Sequence, residues 1–226
     1  MPLLKAPLLK VPALLLSLLL IDAASATRFG LNERMLTQVE QQYGSEARDR
    51  LSAWQQLTDN YQGDNEWQKI NRVNRFFNQV RFLDDLDHWQ KSDYWATPVE
   101  FLATNGGDCE DFSIAKYFTL KELGIPTAKL RLMYVKALEL NQAHMVVTYY
   151  ETPESEPLIL DNLITKIEPA SRRTDLKPVY SFNAEGLWNA KERGRGVLIG
   201  RPDQLRLWTD LSQRMQNQLE GRITDG

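Results

Sequence analysis

The stretch DCEDFSIAKYFTLKELGIPTAKLRLMYV, residues 108–135, decides the fold. Its first half reads as a helix from about Asp108 to Leu123. Gly124 can take the left-handed cap and Pro126 prevents continuation, so the stop is explicit. From Ala128 to Val135 the period changes to the alternation of a strand. Upstream the pattern is helical. Thr97-Pro98-Val99-Glu100 combines an N-cap threonine, proline at the first helical position and glutamate three residues after the cap. It starts a short helix that ends near Asn105-Gly106-Gly107. Further back, Leu36, Val39, Tyr43, Ala47, Leu51, Trp54 and Leu57 recur at three- and four-residue steps, with a break expected at Gly44. Trp67, Ile70, Val73, Phe76, Phe77 and Val80 form a second stripe, and core packing is expected for its aromatics. Leu83 to Tyr94 is polar and acidic and reads as an irregular connection. Trp89 and Trp95 are expected in the core rather than along a cleft.

Downstream, Ala143 to Tyr150, Pro157 to Leu160, Pro178 to Phe182 and Gly196 to Ile199 read as further strands, and Leu205, Trp208, Leu211, Met215 and Leu219 mark a closing helix. Helices first and then antiparallel-looking strands argue an α+β fold.

Composition narrows the function. The chain has 226 residues, 42% hydrophobic and 25% charged, close to globular averages, so a disordered or low-complexity scaffold is excluded. The formal charge of −3, without a basic block, leaves no electrostatic footprint for nucleic acid. A single cysteine, Cys109, forbids an internal disulfide, and two histidines, His88 and His144, exclude a histidine-rich metal site. At the start, Lys5 and Lys10 precede the apolar run Val11 to Ile21, and Ala24-Ser25-Ala26 offers the small residues of a signal-peptidase site. The run is short of the roughly 20 residues a membrane span needs. Residues 1–26 are expected to be a signal peptide cleaved before Thr27, leaving 27–226 as one exported domain without membrane insertion.

Cys109 lies in Gly106-Gly107-Asp108-Cys109-Glu110-Asp111, at the opening turn of a helix. The positive end of the helix dipole and the unsatisfied N–H groups there favour a thiolate and could stabilise an oxyanion. His144 falls inside a strand, and Asp161 follows Leu158-Ile159-Leu160 at the end of the next. A helix-start cysteine, a strand histidine and an acid, in that order, can form a Cys–His–Asp set: nucleophile, base and orienting acid. Other readings stay open: a buried structural cysteine, a hydrogen-bonded strand histidine, Asp161 as a turn former, or His88 as the base.

The acids beside Cys109 oppose thiolate formation, because like charge raises the pKa of an acid. A cation among them would offset this. Asp108, Glu110 and Asp111 supply hard oxygen ligands without histidine, which suits Ca²⁺ better than Zn²⁺. The alternative is that they only cap the helix.

The Gly-Gly-Asp-Cys-Glu-Asp turn, Ala143-His144-Met145-Val146 and Ile159-Leu160-Asp161-Asn162, behind a signal peptide, resemble the bacterial transglutaminase-like cysteine proteinases, in particular their LapG-type periplasmic members. The resemblance spans about residues 30 to 220. It implies a papain/transglutaminase-like α+β core, with N-terminal helices packed on an antiparallel sheet. It further implies catalysis by Cys109, His144 and Asp161, and calcium dependence through Asp108, Glu110 and Asp111. Such enzymes cut the N-terminal region of a large surface adhesin beside a pair of alanines and so disperse biofilm. An inner-membrane receptor for cyclic di-GMP sequesters them. Two competing expectations remain: transglutamination or amidase action on cell-wall peptides, and a non-catalytic, calcium-stabilised binding module.

Overall fold

Helices come first. The computed structural model describes residues 31–189 and 196–220; the signal-peptide segment, residues 1–26, lies outside them. The first apolar stripe forms α1 (Glu33–Tyr43) and α2 (Ser45–Asn60), divided at Gly44. The second forms α3 (Glu66–Phe77), opened by a reciprocal capping box between Asn65 and Gln68. Leu36, Val39, Leu51, Trp54, Ile70, Val73 and Phe77 are buried as the spacing requires. Trp67 is not: at 54% exposed it lies off the buried stripe of α3, against the core packing expected of it.

After α3 come β1 (Arg81–Phe82), the one-turn α4 (Asp85–His88), α5 (Pro98–Thr104) and β2 (Gly106–Gly107). The segment read as an irregular connection thus contains a turn of helix, and β1 pairs in parallel with β2. The capping box of α5 forms as the sequence indicated, with Thr97 Oγ1 accepting from Glu100 N–H at 3.2 Å and Glu100 Oε2 accepting from Thr97 N–H at 2.7 Å. The central helix α6 (Cys109–Glu122) follows, and beyond it Gly124 takes φ +85°. Only a residue without Cβ enters that region at little cost.

The remaining strands are β3 (Leu130–Ala137), β4 (Gln142–Tyr149), β5 (Leu158–Leu160), β6 (Glu168–Pro169), β7 (Leu176–Phe182), β8 (Leu187–Asn189) and β9 (Leu198–Gly200). Paired antiparallel throughout, they make one seven-stranded sheet in the order β6-β5-β4-β3-β7-β8-β9. The register of β7 on β3 shifts opposite Pro178, which has no N–H to give the ladder, and Val179 is left 55% exposed. The closing helix is α7 (Arg206–Leu219), burying Trp208 and Leu211.

Alternation along the strands sorts the sheet into two faces. Leu132, Met145, Val147, Leu160 and Phe182 join the helices in the main core, where Phe112, Ile114 and Tyr117 of α6 pack. Met133, Val135, Val146 and Ile159 form a second cluster, covered by Ala170 and Leu176. Helices on an antiparallel sheet are the α+β architecture expected. Among the described residues no helix is long and apolar enough to cross a membrane.

Candidate active site

Two backbone devices fix the turn that carries the cysteine. Asp108 is the N-cap of α6: its side chain accepts from Glu110 N–H at 3.2 Å, and Asp111 accepts from the Asp108 N–H at 3.3 Å. Gly107 is required because a Cβ there would come within 2.2 Å of Asp111 Oδ2 and 2.8 Å of Phe101. Asp111, fully buried, also accepts from Ala96 N–H at 2.6 Å and so joins the 94–97 loop to the helix start. The acids do cap the helix, with capacity left over.

The strands supply the other two residues. His144 and Asp161, 2% and 1% exposed, meet through Nε2 and Oδ1 at 2.8 Å. Asp161 Oδ1 also accepts from Leu163 N–H at 3.1 Å, and its Oδ2 accepts from Arg173 Nη2 at 2.6 Å. Burial alone would raise the Asp161 carboxyl, but the bonds and charges of His144 and Arg173 hold it well below the usual carboxylate range.

Cys109 is packed against the same strand. Its sulfur takes a hydrogen bond from the backbone of Met145, the residue after His144, while its thiol donates to Glu110 Oε2 at 2.7 Å. Of the three residues expected to converge, the structure therefore joins His144 to Asp161 and sets Cys109 beside the neighbouring amide. Among the described residues no hydrogen bond links the thiol to the imidazole. Burial, then the charges of Glu110 and Asp108, push the Cys109 thiol well above its ordinary range, while the Met145 N–H pulls the other way.

His88 is no alternative base. Its Nε2 meets Thr104 Oγ1 at 2.9 Å and its ring bonds the Gly106 backbone, so it buttresses the glycine turn without a carboxylate partner. Trp95, 3% exposed and stacked on Phe182 at 5.7 Å, is core as expected.

A model of the bacterial transglutaminase-like cysteine proteinases matches residues 38–186. The chain belongs to that family. Solved structures of Legionella pneumophila LapG are similar along nearly their whole length. An EGTA-treated form is 48% identical, covering 82% of this chain and 98% of that one at a TM-score of 0.72. A calcium-bound form is 48% identical, covering 82% and 99% at a TM-score of 0.70. No curated protein sequence matches this chain. The helices and antiparallel sheet are thus a transglutaminase-like fold.

In this transglutaminase-like proteinase the acids around the cysteine form two overlapping groups, Asp108 with Cys109 and Glu110, and Asp85 with Asp108 and Asp111. Within each group the ligand atoms lie within 4.8 Å of one another. Asp85 went unrecognised in the sequence, lost among the acids of Leu83 to Tyr94. Its Oδ2 accepts from Tyr94 N–H at 2.5 Å, and its Oδ1 is buried with no hydrogen-bond partner. Desolvation and the neighbouring carboxylates push Asp108 up to about 10 and Asp85 to about 6, and burial above all raises Asp111. An orphaned carboxylate oxygen and acids that cannot all hold their charge fit a hard cation. Glu110 faces both ways, accepting from Tyr134 Oη at 2.9 Å as well as from the thiol.

Proposed function

We propose that this chain is a calcium-dependent cysteine endopeptidase of the periplasm, which cuts the N-terminal region of a large surface adhesin and so promotes biofilm dispersal. The observation that carries the catalytic reading is the buried His144–Asp161 hydrogen bond, one residue from the amide that holds the Cys109 sulfur.

With Nε2 held by Asp161, Nδ1 of His144 is left to take the Cys109 proton. The thiolate attacks the scissile carbonyl carbon, a C–S bond forms, and the carbonyl pair moves onto oxygen. The N–H of Cys109 itself, at the first position of α6, is a donor for that oxyanion, whereas the Glu110 N–H is occupied by Asp108. Imidazolium then gives its proton to the departing amine as the C–N bond breaks. Water, deprotonated by His144, cleaves the thioester and restores the thiol. Asp161 keeps the imidazole in one tautomer and orientation throughout.

Asp108, Glu110 and Asp111, joined by Asp85, would hold the calcium ion. Bound there, it supplies positive charge that offsets the carboxylates and favours the Cys109 thiolate. The calcium-bound LapG structure supports this choice of metal. Export rests on the signal-peptide pattern of residues 1–26, with 27–226 as a single domain. The adhesin, its cut beside paired alanines, and sequestration by an inner-membrane cyclic di-GMP receptor rest on the family resemblance.

The test is cleavage of a purified N-terminal adhesin fragment. Cutting is expected with calcium, absent with EGTA, and absent in Cys109→Ala with an unchanged melting temperature. Cleavage by Cys109→Ala would refute the nucleophile. Amine incorporation without peptide cleavage would make the chain a transferase.

A further inference from the structure

Asp161 is held at Oδ1 by His144 and the Leu163 N–H and at Oδ2 by Arg173, whose role is unassigned. Arg173 follows a turn of 3₁₀ helix (Ala170–Arg172). Its side chain is only 2% exposed. Nη2 bonds Asp161 Oδ2 at 2.6 Å and Asp175 Oδ2 at 2.8 Å, while Nε bonds Asp175 Oδ1 at 2.9 Å. Asp175 therefore holds the guanidinium as a two-pronged fork, and the fork holds the oxygen of Asp161 that His144 does not use. A guanidinium has a rigid plane, so a fork fixed on one side fixes what it donates to on the other. Asp161 is left one orientation, with Oδ1 toward Nε2 of His144.

We propose that Arg173 is a positioning residue of the protease: with Asp175 it locks the Asp161 carboxylate in the plane that orients His144. The inference rests on the reading of Asp161 as the orienting acid. Among the described residues, Arg173 makes its hydrogen bonds to Asp161 and Asp175 and none to Cys109. It acts by denying the carboxylate rotation, and through it the imidazole, since small misplacements of catalytic groups cost rate steeply. A guanidinium kept only for stability would serve equally with Asp161 turned.

The experiment is a double-mutant cycle on the calcium-loaded chain, with a fluorogenic peptide carrying an Ala-Ala cut site. Asp161→Asn is expected to lower kcat by about 10⁴-fold. Arg173→Gln is expected to lower kcat by about 100-fold with KM within about twofold. In the Asp161→Asn background it should cost less than about twofold more, because its route of action is already gone. Arg173→Lys, which keeps the positive charge but not the planar fork, should recover part of the loss. The low-field NMR resonance of the His144 Nε2 proton should broaden or shift in Arg173→Gln. Should Arg173→Gln not fold, Asp175→Ala, which loosens the fork and uncovers no buried carboxylate, should lower kcat in the same direction by less. Wild-type kcat in Arg173→Gln, or in Asp175→Ala when that variant stands in, would overturn the proposal while Asp161→Asn remains impaired. Full multiplication of the two losses in the cycle would overturn it too. An active Asp161→Asn would sink the underlying assignment of the triad instead.

Discussion

At the scale of single residues, two acids respond to pH in opposite senses. Asp161 is held below the ordinary range, so the folded state binds fewer protons than the unfolded chain as pH falls through the carboxylate range. Its contribution to stability is present above pH ~4 and is lost as the medium approaches its own lower value. In urea titrations between pH 5 and 2, Asp161→Asn should therefore show a shallower loss of stability than the parent chain. Asp85, raised to about 6, behaves the other way. Its contribution is present below pH ~4 and is lost as pH rises through about 6. In EGTA, Asp85→Asn should flatten that part of the melting-temperature profile between pH 4 and 7, and an unchanged slope would show that Asp85 does not titrate there. Neither Asp85 nor Arg173 was legible beforehand. Each stands in a short polar segment without periodicity, and its role exists only once distant chain has folded over it. Cys109, His144 and Asp161 could be named as candidates because each marks the end or interior of a well-patterned element.

Among the long helices, α6 is the most deeply packed, buried along most of its length from Cys109 to Leu120. A helix enclosed on all sides has no polar stripe, so it was recognised by its stop signals rather than by its period. It also carries Lys116, 1% exposed, whose ammonium burial pulls down to about 7 although the charge of Asp161 works against this. For a lysine lowered in the fold, the unfolded chain binds the extra proton between pH ~7 and ~10.5, so stability rises with pH across that window. Lys116→Met removes the buried charge at similar volume. It should raise stability at pH 7 by about 1–3 kcal/mol and flatten the slope between pH 7 and 10, as read by chemical denaturation. Short strands show where local pattern fails. β6 and β8, two and three residues long, offer no period to detect, and both are defined by neighbouring strands. The capping box of α5 was readable because it is closed within four consecutive residues.

For the molecule as a whole, the decisive contacts join the last described helix to the middle of the chain. Arg214 of α7 donates to Glu100 Oε2 at 2.6 Å and Tyr94 Oη at 2.7 Å, and to the carbonyl of Trp95. Gln218 reaches Thr97 Oγ1 at 3.0 Å. These bonds clamp the loop whose Ala96 N–H holds Asp111. Arg214→Ala should cost about 1–3 kcal/mol through the uncompensated Glu100 carboxylate. Calcium affinity, followed by titration calorimetry, should fall several-fold although no ligand is touched. An unaltered affinity would mean the loop keeps its place unaided. Because that clamp belongs to α7, the carboxylate at the foot of the cysteine helix is steadied by a segment remote from it in sequence. Damage confined to the outer face of α7 can thereby reach the acid cluster while leaving the sheet untouched.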